Sequence, residues 1–173
     1  GLEVIGLGRN HQNGIDHERY VPETLDLSDL KSLEKTLPAL AKRYHDVDAV
    51  VSNAGQGVFG GLEQFSAAQI RQAMDLNLLS HMVLVRAFLP GLKKRPHSDL
   101  ILMGSEAALR GGKQGSLYCA AKFGLRGFAQ ALREECVSND VRVGMIHPGM
   151  VRTEFFDGLH FEPGAGDDQA ILP

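Results

Sequence analysis

The sequence predicts an open α/β fold: a parallel sheet covered by helices on both faces, in a single domain. Three observations lead there. Short, continuous apolar runs at residues 4–7, 47–51, 100–103 and 142–146 read as buried parallel strands. Between them lie longer segments whose apolar residues recur with a helical period. A length of 173 residues at 43% hydrophobic suits one core, that of one domain or most of one.

Taken in order, the first run, Val4-Ile5-Gly6-Leu7, stops at the turn-like Gly8-Arg9-Asn10. A weaker run at residues 20–26 contains Pro22, which cannot donate to a ladder, so it belongs at a sheet edge. Ser28 is the expected N-cap of a helix carrying Leu30, Leu33, Leu37 and Leu40, with Pro38 a point of kinking or breakage. The run at 47–51 ends in Ser52-Asn53-Ala54-Gly55. One long helix is expected over 66–90, with Ile70, Met74, Asn77, Leu78 and His81 along one face. Leu100–Met103 runs into Gly104-Ser105, and Ser116 is expected to cap a helix reaching about residue 137. After the last strand the chain is irregular and rich in Gly, Asp and Pro.

Composition removes several classes of function. Lys and Arg number 18 against 21 Asp and Glu, a formal charge of −3, which argues against nucleic-acid binding driven by charge. No apolar run is long enough to span a bilayer, so no membrane partner is expected. Cys119 and Cys136 make no disulfide framework, which points to a reducing, cytoplasmic setting. His11, Asp16 and His17 fit no metal template and read as a polar loop, so no metal is expected.

Gly55-Gln56-Gly57-Val58-Phe59-Gly60 is a literal G-x-G-x-x-G between a strand and a helix, with Asp75 twenty positions on. As a dinucleotide fingerprint it fails on detail. The acidic residue of such a site ends the second strand, whereas Asp75 falls inside a predicted helix. A loop at the carboxyl end of a strand is the better reading.

The chemistry lies in Ser105, Tyr118 and Lys122. Tyr118 and Lys122 are four apart in a helix and share a face. A phenol titrates near ~10 and is a poor acid or base at neutral pH, but a neighbouring ammonium stabilises the phenolate and lowers that value. Ser105 leaves its strand at the carboxyl end, where ligands bind in open α/β sheets. Its hydroxyl can hold a carbonyl or carbinol oxygen towards the tyrosine. By itself, however, a Tyr and a Lys at helical spacing is common and mostly structural.

The surrounding residues make the pattern specific. Ser52-Asn53-Ala54-Gly55, the asparagine of Met74-Asp75-Leu76-Asn77-Leu78, Ser105 thirteen residues before Tyr118, Tyr118-Cys119-Ala120-Ala121-Lys122, and Pro148-Gly149-Met150-Val151-Arg152-Thr153 occur in order. In these the sequence resembles the classical short-chain dehydrogenase/reductase family over about residues 1–157. The extended branch, epimerases and dehydratases, shares the Tyr–Lys pair but carries a histidine-containing motif where this chain has Ser52–Gly55.

The resemblance implies a Rossmann-like, doubly wound fold and an NAD(P)-dependent oxidoreductase that interconverts a carbonyl and an alcohol. Its catalytic residues would be Asn77, Ser105, Tyr118 and Lys122. Tyr118 would be the general acid or base, Lys122 its electrostatic partner and a ribose ligand, and Asn77 the holder of a relay water. Asn53, Ala54 and Gly55 would lie by the adenosine half of the cofactor, with Asp26 and Leu27 at the adenine. Pro148, Gly149, Val151 and Thr153 would line its nicotinamide and pyrophosphate side. No carboxylate follows the run at 4–7, where NAD-preferring members carry one, and Arg9 could pair with a 2′-phosphate. NADP is therefore the expected cofactor, with NAD possible.

The family's glycine-rich turn after its first strand is not in this sequence. Without that strand the sheet is expected to fall into two pieces, and the native chain to begin roughly 25–30 residues earlier. Residues 153–173 are expected to form a mobile substrate-binding loop region. The resemblance further implies a homodimer or homotetramer built on the helices at 66–90 and 116–137, with Phe123, Leu125, Phe128 and Leu132 available to the interface or the sheet. The rival function is a non-catalytic sensor or scaffold that binds the cofactor for regulation.

Overall fold

The structure, a computed structural model, describes residues 1–11 and 16–150. Strand β1 (Val4–Gly8) pairs in parallel with β2 (Tyr20–Thr24), placing Gly6 opposite Pro22. Among the described residues β2 has no second neighbour, so Pro22 sits on an edge as expected. Strands β3 (Ala49–Ser52), β4 (Ser98–Met103) and β5 (Val141–Ile146) form a separate parallel ladder in that order. The expected two pieces are thus two ladders.

In the larger ladder the register puts Val50 beside Leu100, Ser52 beside Leu102, and Val141 and Val143 beside Ser98 and Leu100. All seven side chains are buried, because successive residues of a strand point to opposite faces and this is the face the helices cover. One core results. Leu33, Leu37 and Leu40 of helix α1 (Leu30–Arg43) meet Leu84, Val85 and Leu92 from a second helix and Leu125, Ala129 and Leu132 from a third. Leu7, Leu25 and Leu27 tie the smaller ladder to that core.

Four local expectations need correction. The cap of α1 is Asp29, whose carboxylate accepts the Ser32 N–H at 3.1 Å. Ser28 is taken up elsewhere, donating its N–H and hydroxyl to Asp26 at 2.8 and 2.7 Å. Pro38 does not break α1, since both it and Glu34, whose carbonyl loses a partner, lie on the exposed side where water can satisfy it. The long second helix is not one α-helix. It begins at the expected Ser66, which forms a capping box with Gln69, and runs as α2 (Ala67–Met74), a π turn (Asp75–Leu79) and α3 (Ser80–Leu92). Helix α4 (Ser116–Cys136) has Gly115, not Ser116, at its cap position.

Candidate active site

Strand β4, the π turn and helix α4 place the four catalytic candidates, and these elements converge at the carboxyl ends of β3 and β4. Ser105 follows β4 with extended backbone and caps a short turn, its hydroxyl accepting the Ala107 N–H at 3.2 Å. Tyr118 lies in the first turn of α4, 6% exposed, and Lys122 one turn later, 3% exposed. The Lys122 ammonium is 5.7 Å from the centroid of the Tyr118 ring and donates to the Met103 carbonyl, the last of β4, at 2.9 Å. Asn77 sits in the π turn, fully buried. Its Nδ2 donates to the Ala73 carbonyl at 3.1 Å and its Oδ1 accepts the Gln56 N–H at 2.9 Å, fastening the loop after β3.

Gly55 shows how closely these parts meet. A Cβ there would lie 3.1 Å from Asn77 Oδ1 and 3.6 Å from Lys122 Nζ, so the bare backbone is what lets the loop lie against both. Phe59, from the same loop, packs against Tyr118 with ring centroids 5.5 Å apart. The literal G-x-G-x-x-G is therefore a loop at the end of β3 that walls the tyrosine, and Asp75 opens the π turn.

Electrostatics correct one expectation. Burial raises the Tyr118 phenol above its usual range, and only a hydrogen bond with the Ser105 side chain opposes that. The expected lowering by Lys122 is not what dominates. Burial instead pushes Lys122 itself down to about 8. The physical reason is that both groups are removed from water, which penalises phenolate and ammonium alike.

His81 and Ser52 carry a feature that sequence reasoning missed. His81 Nδ1 and Ser52 Oγ are 2.7 Å apart in the buried interior, joining α3 to the end of β3. The other ring nitrogen, Nε2, is buried without a hydrogen-bond partner of good geometry. Burial, reinforced by the Lys122 charge, holds His81 down at about 4, while the Ala54 carbonyl opposes weakly. The spacing of Asn77 and His81 along one helix face was the available signal.

The cofactor candidates divide into two groups. Asn53, Ala54 and Gly55 follow β3 beside the catalytic cluster, and Pro148 and Gly149 follow β5, where the Pro148 carbonyl accepts the Glu106 N–H at 3.0 Å. Arg9 and Asp26 are exposed at the carboxyl ends of β1 and β2. Asp26 lies below the usual carboxylate range, chiefly through its bonds from Ser28 and in lesser part through the charge of Arg9. Leu27 is half-buried and packs on the core. Val151 and Thr153, with the expected substrate loop at 153–173, lie outside the described residues.

These residues suit a nicotinamide dinucleotide. Among them the Lys122 ammonium donates to the Met103 carbonyl, which leaves it further donors for a ribose diol. His11 and His17 are engaged otherwise. His11 donates from Nε2 to the Glu23 carbonyl at 3.2 Å, and its Nδ1 lies 3.0 Å from the Tyr20 hydroxyl; His17 accepts the Arg19 N–H. Among the described residues no group of His, Cys, Asp and Glu is arranged to hold a metal ion, and no helix is long and apolar enough to cross a membrane.

The chain is similar to known proteins in sequence and in fold. The sequence model of the short chain dehydrogenase family matches residues 7–161. An NADP-dependent 3-hydroxy acid dehydrogenase of Schizosaccharomyces pombe is 34% identical over 138 residues, covering 78% of this chain and 52% of its own length. Among solved structures, a short-chain dehydrogenase from Streptomyces avermitilis superposes with a TM-score of 0.81 at 26% identity, covering 90% of this chain and 60% of that one. An alcohol dehydrogenase from Thermococcus sibiricus, in complex with 5-hydroxy-NADP, does so with a TM-score of 0.76 at 27% identity, covering 92% and 70%. The chain thus spans about half the length of this curated relative from Schizosaccharomyces pombe.

Proposed function

Because this chain belongs to the short-chain dehydrogenase/reductase family, we propose that it is an oxidoreductase interconverting a carbonyl and an alcohol with a nicotinamide cofactor, NADP in preference to NAD. The observation that carries this reading is the cluster at the ends of β3 and β4. There the Ser105 side chain bonds Tyr118, Lys122 lies beside the same ring, and Asn77 fastens the loop bearing Gly55.

In this reading Ser105 holds the substrate oxygen by its hydroxyl and aims it at Tyr118. Tyr118 gives that oxygen its proton in reduction and removes it in oxidation. Burial keeps the phenol protonated at neutral pH, the form reduction requires. Lys122 holds the ribose and favours the phenolate once Tyr118 has given up its proton. Asn77 has its side chain committed to Ala73 and Gln56, so its part is to hold the loop and the water path beside Lys122 in place. The bound nicotinamide supplies or accepts the hydride. Asn53, Ala54 and Gly55 would lie by the adenosine half of the cofactor, with Asp26 and Leu27 at the adenine and Arg9 at the 2′-phosphate, and Pro148, Gly149, Val151 and Thr153 would serve its nicotinamide and pyrophosphate side.

The partner is a small-molecule carbonyl or alcohol, entering past Phe59. The protein works in the cytoplasm as a homodimer or homotetramer. Leu125 and Leu132 belong to the core and Phe128 packs against it, which leaves Phe123, 42% exposed, for that interface. The test is turnover of NADPH by the full-length protein with aldehydes, ketones, quinones and 3-oxo acids. Turnover that is lost in Tyr118→Phe supports the reading. Cofactor binding with no turnover across the panel overturns it in favour of a sensor.

A further inference from the structure

The backbone around Ser105 is held by more than its own strand. Gly104 donates its N–H to the Ile146 carbonyl at 2.7 Å, and Glu106 donates to the Pro148 carbonyl at 3.0 Å. These two bonds carry the β4–β5 pairing past the ends of the strands, and Ser105 lies between them. The Ser105 carbonyl is met from the side by a side chain: His147 Nδ1 lies 3.0 Å from it. A carbonyl only accepts, so Nδ1 must carry the proton and donate.

Gly104 makes room for this contact. A Cβ at that position would come within 2.7 Å of His147 Nδ1, 2.7 Å of Met145 Cε and 3.0 Å of the Ile146 carbonyl. The glycine leaves the space that the imidazole fills on its way to Ser105. The same serine has its hydroxyl side engaged by the Ala107 N–H and by Tyr118.

We propose that His147 is a positioning residue, which fixes the peptide of Ser105 through its Nδ1–H so that the serine hydroxyl points at Tyr118 and the substrate oxygen. This rests on the functional reading above for its catalytic consequence, though not for the hydrogen bond itself. Leucine at 147 keeps the bulk and removes the donor. Asparagine places an amide nitrogen near the position of Nδ1 and restores it.

Two measurements on the full-length protein test the proposal. Nitrogen-15 NMR of the imidazole at alkaline pH reads the tautomer directly. Neutral His147 in the Nδ1–H form supports the contact, and the Nε2–H form overturns it whatever the enzyme does. Kinetics with saturating NADPH, where a substrate isotope effect shows chemistry to be limiting, then reads the consequence. His147→Leu should lower kcat roughly 3- to 10-fold, the size expected of one lost hydrogen bond, with the KM for NADPH nearly unchanged. His147→Asn should recover most of that loss, and in a Ser105→Ala background His147→Leu should cost less than about 2-fold, since the two act as one unit. Equal losses in both backgrounds, or no recovery by asparagine, overturn the positioning role. A Ser105→Ala variant with wild-type kcat overturns the functional reading, and this role with it.

Discussion

The two ladders carry functional candidates of opposite character. At the end of the β3–β4–β5 ladder the groups are buried, bonded to one another and shifted by desolvation, with Lys122 down at about 8 and His81 at about 4. At the end of the β1–β2 ladder Arg9 and Asp26 stand in solvent, and what lowers Asp26 is first the hydrogen bonding of its own turn. Acid–base work requires a group whose position and proton affinity are held by its surroundings. Telling one cofactor from another requires only a charge in reach of the ligand, which a solvated side chain can provide.

The largest effect should come from removing the proton donor. Tyr118→Phe should lower kcat at least ~100-fold with little change in NADPH affinity, read by steady-state kinetics and fluorescence titration. Retention of a third of wild-type kcat when chemistry limits would end the assignment. Lys122→Ala, by contrast, should weaken both kcat and NADPH binding, because it holds the ribose as well.

Next comes the linkage of His81 to folding. Its value falls from 6.5 in the unfolded chain to about 4 in the folded one. As pH drops between those values the unfolded chain takes up a proton that the folded chain refuses, so stability is lost. The full shift corresponds to about 3 kcal/mol at most. Urea unfolding at neutral pH and at mildly acidic pH should show this slope in wild type and a shallower one in His81→Gln. Equal slopes would mean that the ring is not the buried neutral group described.

A smaller effect is expected from the exposed ladder. The protein should prefer NADPH over NADH by at least ~10-fold in kcat/KM, since one charge-assisted hydrogen bond contributes about 1.5–3 kcal/mol before solvent screening. Arg9→Ala should erase most of that preference by weakening NADPH, and rising salt should shrink it in wild type. An unchanged preference in the variant would move the discriminating cation elsewhere. Last, Phe123→Asp should loosen the oligomer in light scattering at micromolar concentration while leaving the fold intact, because the ring is already partly in water.

What could be read beforehand follows the same division. Strands announced themselves as apolar runs, and Asn77, Ser105, Tyr118 and Lys122 as residue types at fixed intervals, because those are properties of the chain order itself. The direction of the Tyr118 shift was not legible. It depends on how much water the fold removes, and the Lys122 ammonium turns out to bond Met103 beneath the ring. Nor could the hold of His147 on Ser105 be seen, since those residues meet only through the β4–β5 register. Asp29 displaced Ser28 as a cap for a similarly local reason: the serine was already bound to Asp26.

The π turn has a mechanical consequence. Ala73, Asn77, His81 and Val85 are all buried, and each is four residues after the last. In an unbroken α-helix at about 100° per residue, twelve residues overshoot whole turns by roughly 120°, so a line that begins at Ala73 would have wound off to the side by Val85. The extra residue in the wide turn takes up nearly all of that excess. It works as a phase corrector, letting one straight row of side chains reach from the loop after β3 down into the core. Shortening the segment Asp75–Leu79 by one residue would leave the helix hydrogen-bonded throughout, yet turn either Asn77 away from Gln56 or His81 away from Ser52.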